Sequence, residues 1–379
     1  MMSKLIRFLG IPLLSLIIIL TAGFSVAAEG PYVGSKYYCL MDAETGQVII
    51  SKNMEEIRQV ASTTKMLTAI LTMEYADLNE IAEVSQYADH TPEFTIGLRA
   101  GQKVAVGELL KVSLIRSSND AAVVLAEHVA GNEELFAHLM SKKAFASGAM
   151  VTHFRNASGL PDNEHYSTAY DLAQIGRYAL SDPTIKKLVA TRQSEFKHPG
   201  YLKPLTINNT NGLLGSYPGA DGIKTGTANA AGKCLVASAS RQGRQLIAVV
   251  LKSPDRNGDC IRLLDYGFKQ STLSKVVDHS LAFKNISISN GEESGVDVYP
   301  AEDLELWISD KGPDVEKRVK MDYELAAPVS KGQKVGIMEV YCDGKKVRSI
   351  DLICGQKIDK KGNLLFRIVK DHWGQKEKG

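Results

Sequence analysis

The chain predicts an α+β fold. An antiparallel sheet is assembled from two distant parts of a first domain, a helical lobe lies between them, and a small all-β domain follows. Three observations carry this. Apolar runs of strand length occur just after residue 36 and return after Gly222, and the stretch between them is periodic in the helical sense. Beyond Gln270 the texture changes to short alternating runs separated by turns. With 379 residues and 44% hydrophobic content, the chain can bury one large core and a second small one.

In order along the chain, Lys4 and Arg7 precede an apolar run from Phe8 to Thr21, and the small residues Ser25-Val26-Ala27-Ala28 precede Glu29. That is a secretory signal over residues 1–28, so the mature chain is expected to start near Glu29 and work outside the cytoplasmic membrane. Tyr37 to Met41 and Gln47 to Ile50 read as strands joined by a tight turn from Asp42 to Gly46. A helix is expected from about Ser62 to Ala76, with Ser62 at its N-terminus, where unpaired backbone N–H groups favour developing negative charge. Val106 to Ile115 and Asp120 to Val129 are the next helices, broken by the polar Arg116-Ser-Ser-Asn119, and Glu133 to Phe145 and Ala169 to Ala179 follow.

Asn208 to Asp221 reads as loop from its Asn, Gly and Pro content. Ile223 to Ala228 is then an expected edge strand, followed by a hairpin of Lys233 to Ser240 and Gln245 to Lys252, and a helix from Cys260 to Tyr266 that closes at Gly267. The all-β domain is expected from strands at Lys284 to Ser289, Gly295 to Tyr299, Leu304 to Ile308, Val315 to Val319, Val335 to Val340 and Val347 to Leu352. Trp307 and Tyr341 read as core residues of that domain, with a binding face as the alternative. Near the C-terminus, Leu364, Leu365, Ile368, Val369, His372 and Trp373 recur at helical spacing beside Lys370, which suits a short helix lying on a membrane surface.

The composition excludes some functions. A formal net charge of +2 is too small to imply nucleic acid. Five cysteines leave at least one thiol outside any set of intrachain disulfides. Cys342 and Cys354 lie in neighbouring apolar runs that could pair across strands, whereas burial of a small side chain is enough to explain Cys234. The eight histidines are scattered without metal-ligand spacing, and the chemistry below calls for no metal or cofactor.

Three stretches carry that chemistry: Ser62-Thr-Thr-Lys65, Ser117-Ser-Asn119 and Lys224-Thr-Gly226. Singly each is weak, because such triplets commonly mark a helix surface, a helix cap or a turn. In this order, on a helix start, an interhelix loop and a strand, they supply acyl transfer through a serine ester. Three residues apart on a helix, Ser62 and Lys65 share a face, so Lys65 can take the Ser62 proton once burial and the nearby Lys224 charge disfavour its ammonium form. Ser117 is expected to hydrogen-bond Lys65 and pass a proton to the leaving amine. Asn119 would hold Lys65 on one side and a substrate carbonyl on the other. Lys224 adds positive charge without changing state and attracts a substrate carboxylate, which Thr225 also binds. Gly226 admits the substrate backbone, which would lie along the strand as an added strand, and the amides of Ser62 and Thr227 form an oxyanion hole.

These residues, with Ala61-Ser-Thr-Thr-Lys-Met-Leu-Thr68, Ser118-Asn-Asp-Ala-Ala122, His153-Phe154, Ser158-Gly-Leu160, Tyr166-Ser-Thr-Ala169, Asp221-Gly-Ile-Lys-Thr-Gly226 and Leu264-Asp-Tyr-Gly-Phe268, resemble the D-alanyl-D-alanine carboxypeptidases of the low-molecular-mass penicillin-binding protein family, serine peptidase family S11. The likeness spans roughly residues 30 to 355. It implies a β-lactamase/transpeptidase-like catalytic domain over residues 29–272, a β-rich domain over 273–357 and a membrane-associating tail over 358–379. It also implies removal of the terminal D-alanine from peptidoglycan stem pentapeptides through an acyl-enzyme on Ser62, with β-lactam antibiotics as covalent inhibitors. The setting would be the outer face of the cytoplasmic membrane. Arg256 matches an arginine that helps hold the terminal carboxylate in relatives. Val60, where relatives often carry proline, and the apolar stretch from Phe145 to Met150 depart from the family pattern. A secreted β-lactamase would need a water-activating glutamate, for which Glu164 is the candidate. A non-catalytic wall-binding protein could have lost the nucleophile, which is present here.

Overall fold

The structure, a computed structural model, describes residues 30–269, 271–309, 315–342 and 344–362. The expected signal segment and the helical spacing from Leu364 to Trp373 lie outside those residues. Among the described residues no helix is long and apolar enough to cross a membrane.

Strands β1 (Tyr37–Asp42) and β2 (Val48–Lys52) form a hairpin. A 3-10 turn at Ala61–Thr64 then leads into α1 (Lys65–Tyr75). The lobe continues through β3 (Ile81–Glu83), α2 (Gln86–Asp89), β4 (Lys103–Ala105), α3 (Val106–Ile115), α4 (Asn119–Ala130), α5 (Glu133–Ala146), α6 (Ala169–Ser181) and α7 (Pro183–Ala190), and ends in the hairpin of β5 (Gln193–Phe196) and β6 (Leu205–Asn208). The chain then returns to the sheet as β7 (Ala220–Ala228), β8 (Gly232–Arg241) and β9 (Arg244–Ser253), followed by α8 (Arg256–Lys269). The sheet order is β2-β1-β9-β8-β7 with antiparallel neighbours, so both segments build one sheet and β7 lies at its edge.

Successive strand side chains point to opposite faces, and here both faces are covered. Cys39, Met41, Val236, Ile247 and Val249 pack against the helical lobe. Tyr38, Leu40, Leu235, Ala237, Leu246 and Val250 pack with Cys260, Leu263 and Leu264 of α8. This double burial is why β8 and β9 read as nearly continuous apolar runs.

The second domain holds β10 (Ser271–Val277), β11 (Lys284–Ser289), β12 (Gly295–Pro300), β13 (Leu304–Ser309), β14 (Val315–Met321), β15 (Glu324–Ala326), β16 (Lys334–Cys342) and β17 (Lys345–Cys354). Strands β10 and β13 pair with each other, and a six-stranded sheet runs β14-β16-β17-β12-β11-β15. Its core includes Val277, Ile286, Val296, Val298, Leu306, Val340 and Leu352.

Several expectations change. Ser62 and Thr64 lie in the 3-10 turn, and the α-helix itself starts at Lys65. Helix α8 begins four residues earlier than expected and runs through Gly267, whose missing side chain makes room for packing: a Cβ there would stand 2.7 Å from Leu246 Cδ1 and 2.8 Å from Leu40 Cδ2. Trp307 and Tyr341 are only half-buried; Trp307 lies 5.1 Å from the Arg244 guanidinium of the first domain, and Tyr341 lies beneath Arg318 at 4.1 Å. Cys342 is at the hairpin end of β16, opposite residue 345, whereas Cys354 is at the far end of β17, opposite Val298. Nine strand steps separate the two ends by on the order of 30 Å, too far for a disulfide. Short β3, β4, β5 and β6 escaped notice because three or four residues carry little periodicity. Helix α7 had its signal in Asp182-Pro183, since the Asp182 carboxylate accepts from Thr184 N and Ile185 N, both at 2.8 Å.

One buried ion pair ties the sheet to α8. Asp42 Oδ2 accepts from Arg244 Nε at 2.9 Å, both side chains at most 3% exposed, and Arg244 Nη1 donates to Gly267 O at 2.9 Å. Asp42 Oδ1 also closes the β1–β2 turn by accepting from Glu44 N and Thr45 N. Replacing Asp42 with Ala strands the Arg244 cation in the core and is expected to cost about 3 kcal/mol or more in urea unfolding. The double variant Asp42→Ala/Arg244→Met should recover part of that loss; a single variant as stable as wild type would contradict this role.

Candidate active site

Ser62 is half-buried in the 3-10 turn, and Lys65 one turn later is 0% exposed. Lys65 Nζ lies 3.0 Å from Ser62 Oγ, 2.6 Å from Asn119 Oδ1 and 2.6 Å from Ser158 O. A neutral amine has two N–H donors and one lone pair. The amide oxygen and the carbonyl take the two donors, so the lone pair faces the Ser62 hydroxyl. An ammonium fits the same three partners, so a proton can arrive at Nζ without rearrangement. Burial first, and the neighbouring Lys224 charge second, hold the Lys65 ammonium well below the ordinary lysine range, against smaller opposing effects of Asp120 and Glu133.

Ser117 joins α3 to α4 in a left-handed conformation, φ +70°, which is costly for a residue with a side chain. Its Oγ accepts from Lys224 Nζ at 2.8 Å, so its partner is Lys224 where Lys65 was expected. Lys224, on β7, is buried and also donates to Thr225 O at 3.2 Å. Burial first, then the Arg256 charge, pushes its ammonium down to about 7. Lys224 is therefore a group that changes state near neutral pH, not the constant charge expected from sequence.

Asn119 holds Lys65 with its oxygen as expected, but its Nδ2 donates to Glu93 O at 3.1 Å and approaches Pro92 O at 3.4 Å. The next residue, Asp120, fixes the same loop by accepting from Ile96, Gly97 and Leu98 amides within 3.1 Å. The Thr225 hydroxyl bonds Thr210 Oγ1 at 2.6 Å. Gly226 admits a close approach from within the fold: a Cβ there would stand 2.6 Å from Val60 O and 3.2 Å from Ser62 N. Strand β7 thus lies directly against the Ser62 turn, which brings Thr225, Gly226 and Thr227 beside Ser62. Arg256 Nη1 donates to Gly226 O at 3.0 Å and Thr227 Oγ1 at 2.8 Å, bracing this strand from α8.

Several contributors had no role assigned from the sequence. Asn156 Oδ1 gathers the amides of Ser158, Gly159 and Leu160 into a tight loop, and this loop presents Ser158 O to Lys65. Gly159 adopts φ +84°, and a side chain on it would overlap Ala61 O. Thr64 pairs with His165, a lone histidine that no spacing could single out. Glu164 is 71% exposed and lies 3.6 Å from Arg155, an arrangement that leaves it in solvent. In the second domain Asp278, His279 and Asp303 cluster on the surface, where Asp303 already accepts from Lys275 Nζ at 3.0 Å and from His279 N at 2.8 Å.

The Lys224 shift has a sign that unfolding can read. Above about 7 the folded chain releases this proton, while the unfolded chain keeps it until the ordinary 10.5. Between those values the unfolded state binds more protons, so stability rises with pH, by at most about 1.4 kcal/mol per pH unit. Comparing wild type with Lys224→Met from about pH 6 to about pH 9, the stability difference should move in favour of wild type above neutrality. A flat difference would mean an unperturbed lysine.

With this geometry in view, comparison with known proteins is direct. The family described as D-alanyl-D-alanine carboxypeptidase matches residues 24–255, and the C-terminal domain of penicillin-binding protein 5 matches residues 272–360. The D-alanyl-D-alanine carboxypeptidase DacF of Bacillus subtilis is 32% identical over 343 residues, 88% of each chain. The DacA enzyme of Haemophilus influenzae is 31% identical over 357 residues, 87% of this chain and 88% of its own. The crystal structure of penicillin-binding protein 5 from Haemophilus influenzae superposes with a TM-score of 0.70 at 28% identity, covering 88% of this chain and 99% of that one. The chain belongs to the D-alanyl-D-alanine carboxypeptidase family of low-molecular-mass penicillin-binding proteins.

Proposed function

We propose that Ser62, Lys65, Ser117, Asn119 and Lys224 carry the reaction of this serine-type D-Ala-D-Ala carboxypeptidase on peptidoglycan stem peptides. The observation that carries the assignment is the fully buried Lys65 amine, 3.0 Å from Ser62 Oγ, with its other two contacts made to pure acceptors. Ser62 Oγ attacks the carbonyl of the penultimate D-alanine, and its proton passes to Lys65. The amides of Ser62 and Thr227 bind the oxyanion. Collapse breaks the C–N bond, and Ser117, replenished by Lys224, gives a proton to the leaving D-alanine amine. Lys65 then returns the Ser62 proton to the Ser117–Lys224 pair, which restores both amines; water attacks the ester, the neutral Lys65 takes its proton and hands it to Ser62 Oγ as the ester bond breaks, and the shortened peptide leaves. The Lys224 ammonium, the Thr225 hydroxyl and the Arg256 guanidinium receive the terminal carboxylate. β-Lactams present a strained amide to the same serine and acylate it.

The finer reading of placement is an exported enzyme. Residues 1–28 act as the signal, residues 29–272 and 273–357 form the two domains, and residues 358–379 hold the chain to the outer face of the cytoplasmic membrane. The family matches over residues 24–255 and 272–360 support the two-domain part of this reading. The exposed, Arg155-paired Glu164 favours the carboxypeptidase over a β-lactamase that would need a glutamate-activated water. Purified protein should release D-alanine from a stem pentapeptide and gain the mass of one penicillin, and Ser62→Ala should lose both, with release falling at least about 10⁴-fold. Equal release by wild type and Ser62→Ala would refute the assignment.

A further inference from the structure

Beneath the nucleophile a chain of directed hydrogen bonds starts at a buried histidine. His165 is 2% exposed and stacks on Phe154, ring centroids 4.7 Å apart. Its Nδ1 lies 3.1 Å from the backbone nitrogen of Arg155, and its Nε2 lies 2.7 Å from Thr64 Oγ1. A backbone N–H can only donate, so Nδ1 is the acceptor and the ring proton sits on Nε2. Nε2–H therefore donates to Thr64 Oγ1. The Thr64 hydroxyl keeps its own proton for Ala61 O at 2.9 Å, an atom that can only accept. Each donor and acceptor has one direction. Burial pushes the imidazolium down to about 3, so the neutral ring and its tautomer persist across the working pH range.

The end of this chain is the peptide bond between Ala61 and Ser62. In a planar trans peptide, C=O and N–H point in opposite directions, so fixing Ala61 O aims Ser62 N–H. That amide is one of the two proposed oxyanion donors. The peptide is also strained, since Ala61 has φ +49°, and its carbonyl is pressed against Gly159, where a side chain would overlap it. A hydrogen bond to the carbonyl also polarises the N–H of the same peptide, which strengthens it as a donor.

We infer that His165 is a positioning residue for the oxyanion hole, acting through Thr64 and Ala61 O to hold the Ser62 amide at the developing charge. The inference rests on Ser62 as the nucleophile. It concerns a donor that is used more in the transition state than in the ground state, so its loss lowers kcat and leaves KM nearly unchanged.

The test measures D-alanine release and penicillin acylation for wild type, His165→Leu, His165→Gln and Thr64→Val, with the active fraction counted by stoichiometric penicillin labelling. Glutamine can place an N–H near the former Nε2 position, and valine keeps the shape of threonine without its hydroxyl. His165→Leu and Thr64→Val should lose about 10- to 100-fold in kcat and in acylation rate per labelled site. KM should stay within about twofold, and His165→Gln should recover most of the loss. Wild-type kcat per labelled site in Thr64→Val, or equal losses in the leucine and glutamine variants, would overturn the inference. A wild-type protein that takes up no penicillin would remove the Ser62 assignment itself, a failure that the variants cannot mimic.

Discussion

The catalytic domain depends on keeping one amine out of water beside one hydroxyl. Lys65 has no solvent contact, and its three polar neighbours come from three separate parts of the chain: Ser62 from its own turn, Asn119 from the start of α4, and Ser158 from a loop ninety residues away. Burying a lysine is expensive unless its nitrogen is fully bonded. Here the partners suit both the amine and the ammonium, so the proton can come and go within a fixed frame. The fold is largely the apparatus that brings those three parts together. Helix α1 is buried among α3, α4, α5 and α6, and edge strand β7 closes the site from the side of the sheet.

Two of the strained residues lie where chemistry is proposed. Ala61 and Ser117 are both in left-handed backbone conformations, one immediately before Ser62 and one bearing the hydroxyl that bonds Lys224. Such residues cost on the order of 1–3 kcal/mol each and persist only where their surroundings over-determine them. For Ala61 those surroundings are Gly159, Thr64 and the backbone of β7 at Gly226. The two buried lysines add a second cost. Burial depresses the protonation of both, the Lys224 charge adds to this at Lys65, and the Arg256 charge adds to it at Lys224.

Much of the fold was legible because strands and long helices leave periodic traces. The two-sided apolar runs of β8 and β9, the limits of α3 and the alternation in β11 could be read directly, and the three candidate stretches could be read from their order. What escaped has physical reasons. Gly267 looked like a helix end because sequence does not reveal that Leu40 and Leu246 need its space. The Ser117 partner was misassigned because Lys65 and Lys224 both come within plausible reach, and only the fold decides which amine meets the hydroxyl. The charge state of Lys224 depends on burial, which a triplet of residues does not encode. His165 meets Thr64, 101 residues away, so no local spacing announces it, and the local loop that Asn156 closes matters only because the fold brings its Ser158 carbonyl to the distant Lys65.

The central claim is that Lys65 is a neutral amine in the resting enzyme. Its most direct test is the pH titration of the Lys65 side chain by NMR, using lysine labelled with carbon-13 at Cε and assigned by comparison with Lys65→Arg. The account predicts a Lys65 signal that moves to the neutral-amine shift with a midpoint well below the ordinary 10.5. A signal that stays at the ammonium position until the ordinary lysine range would contradict it.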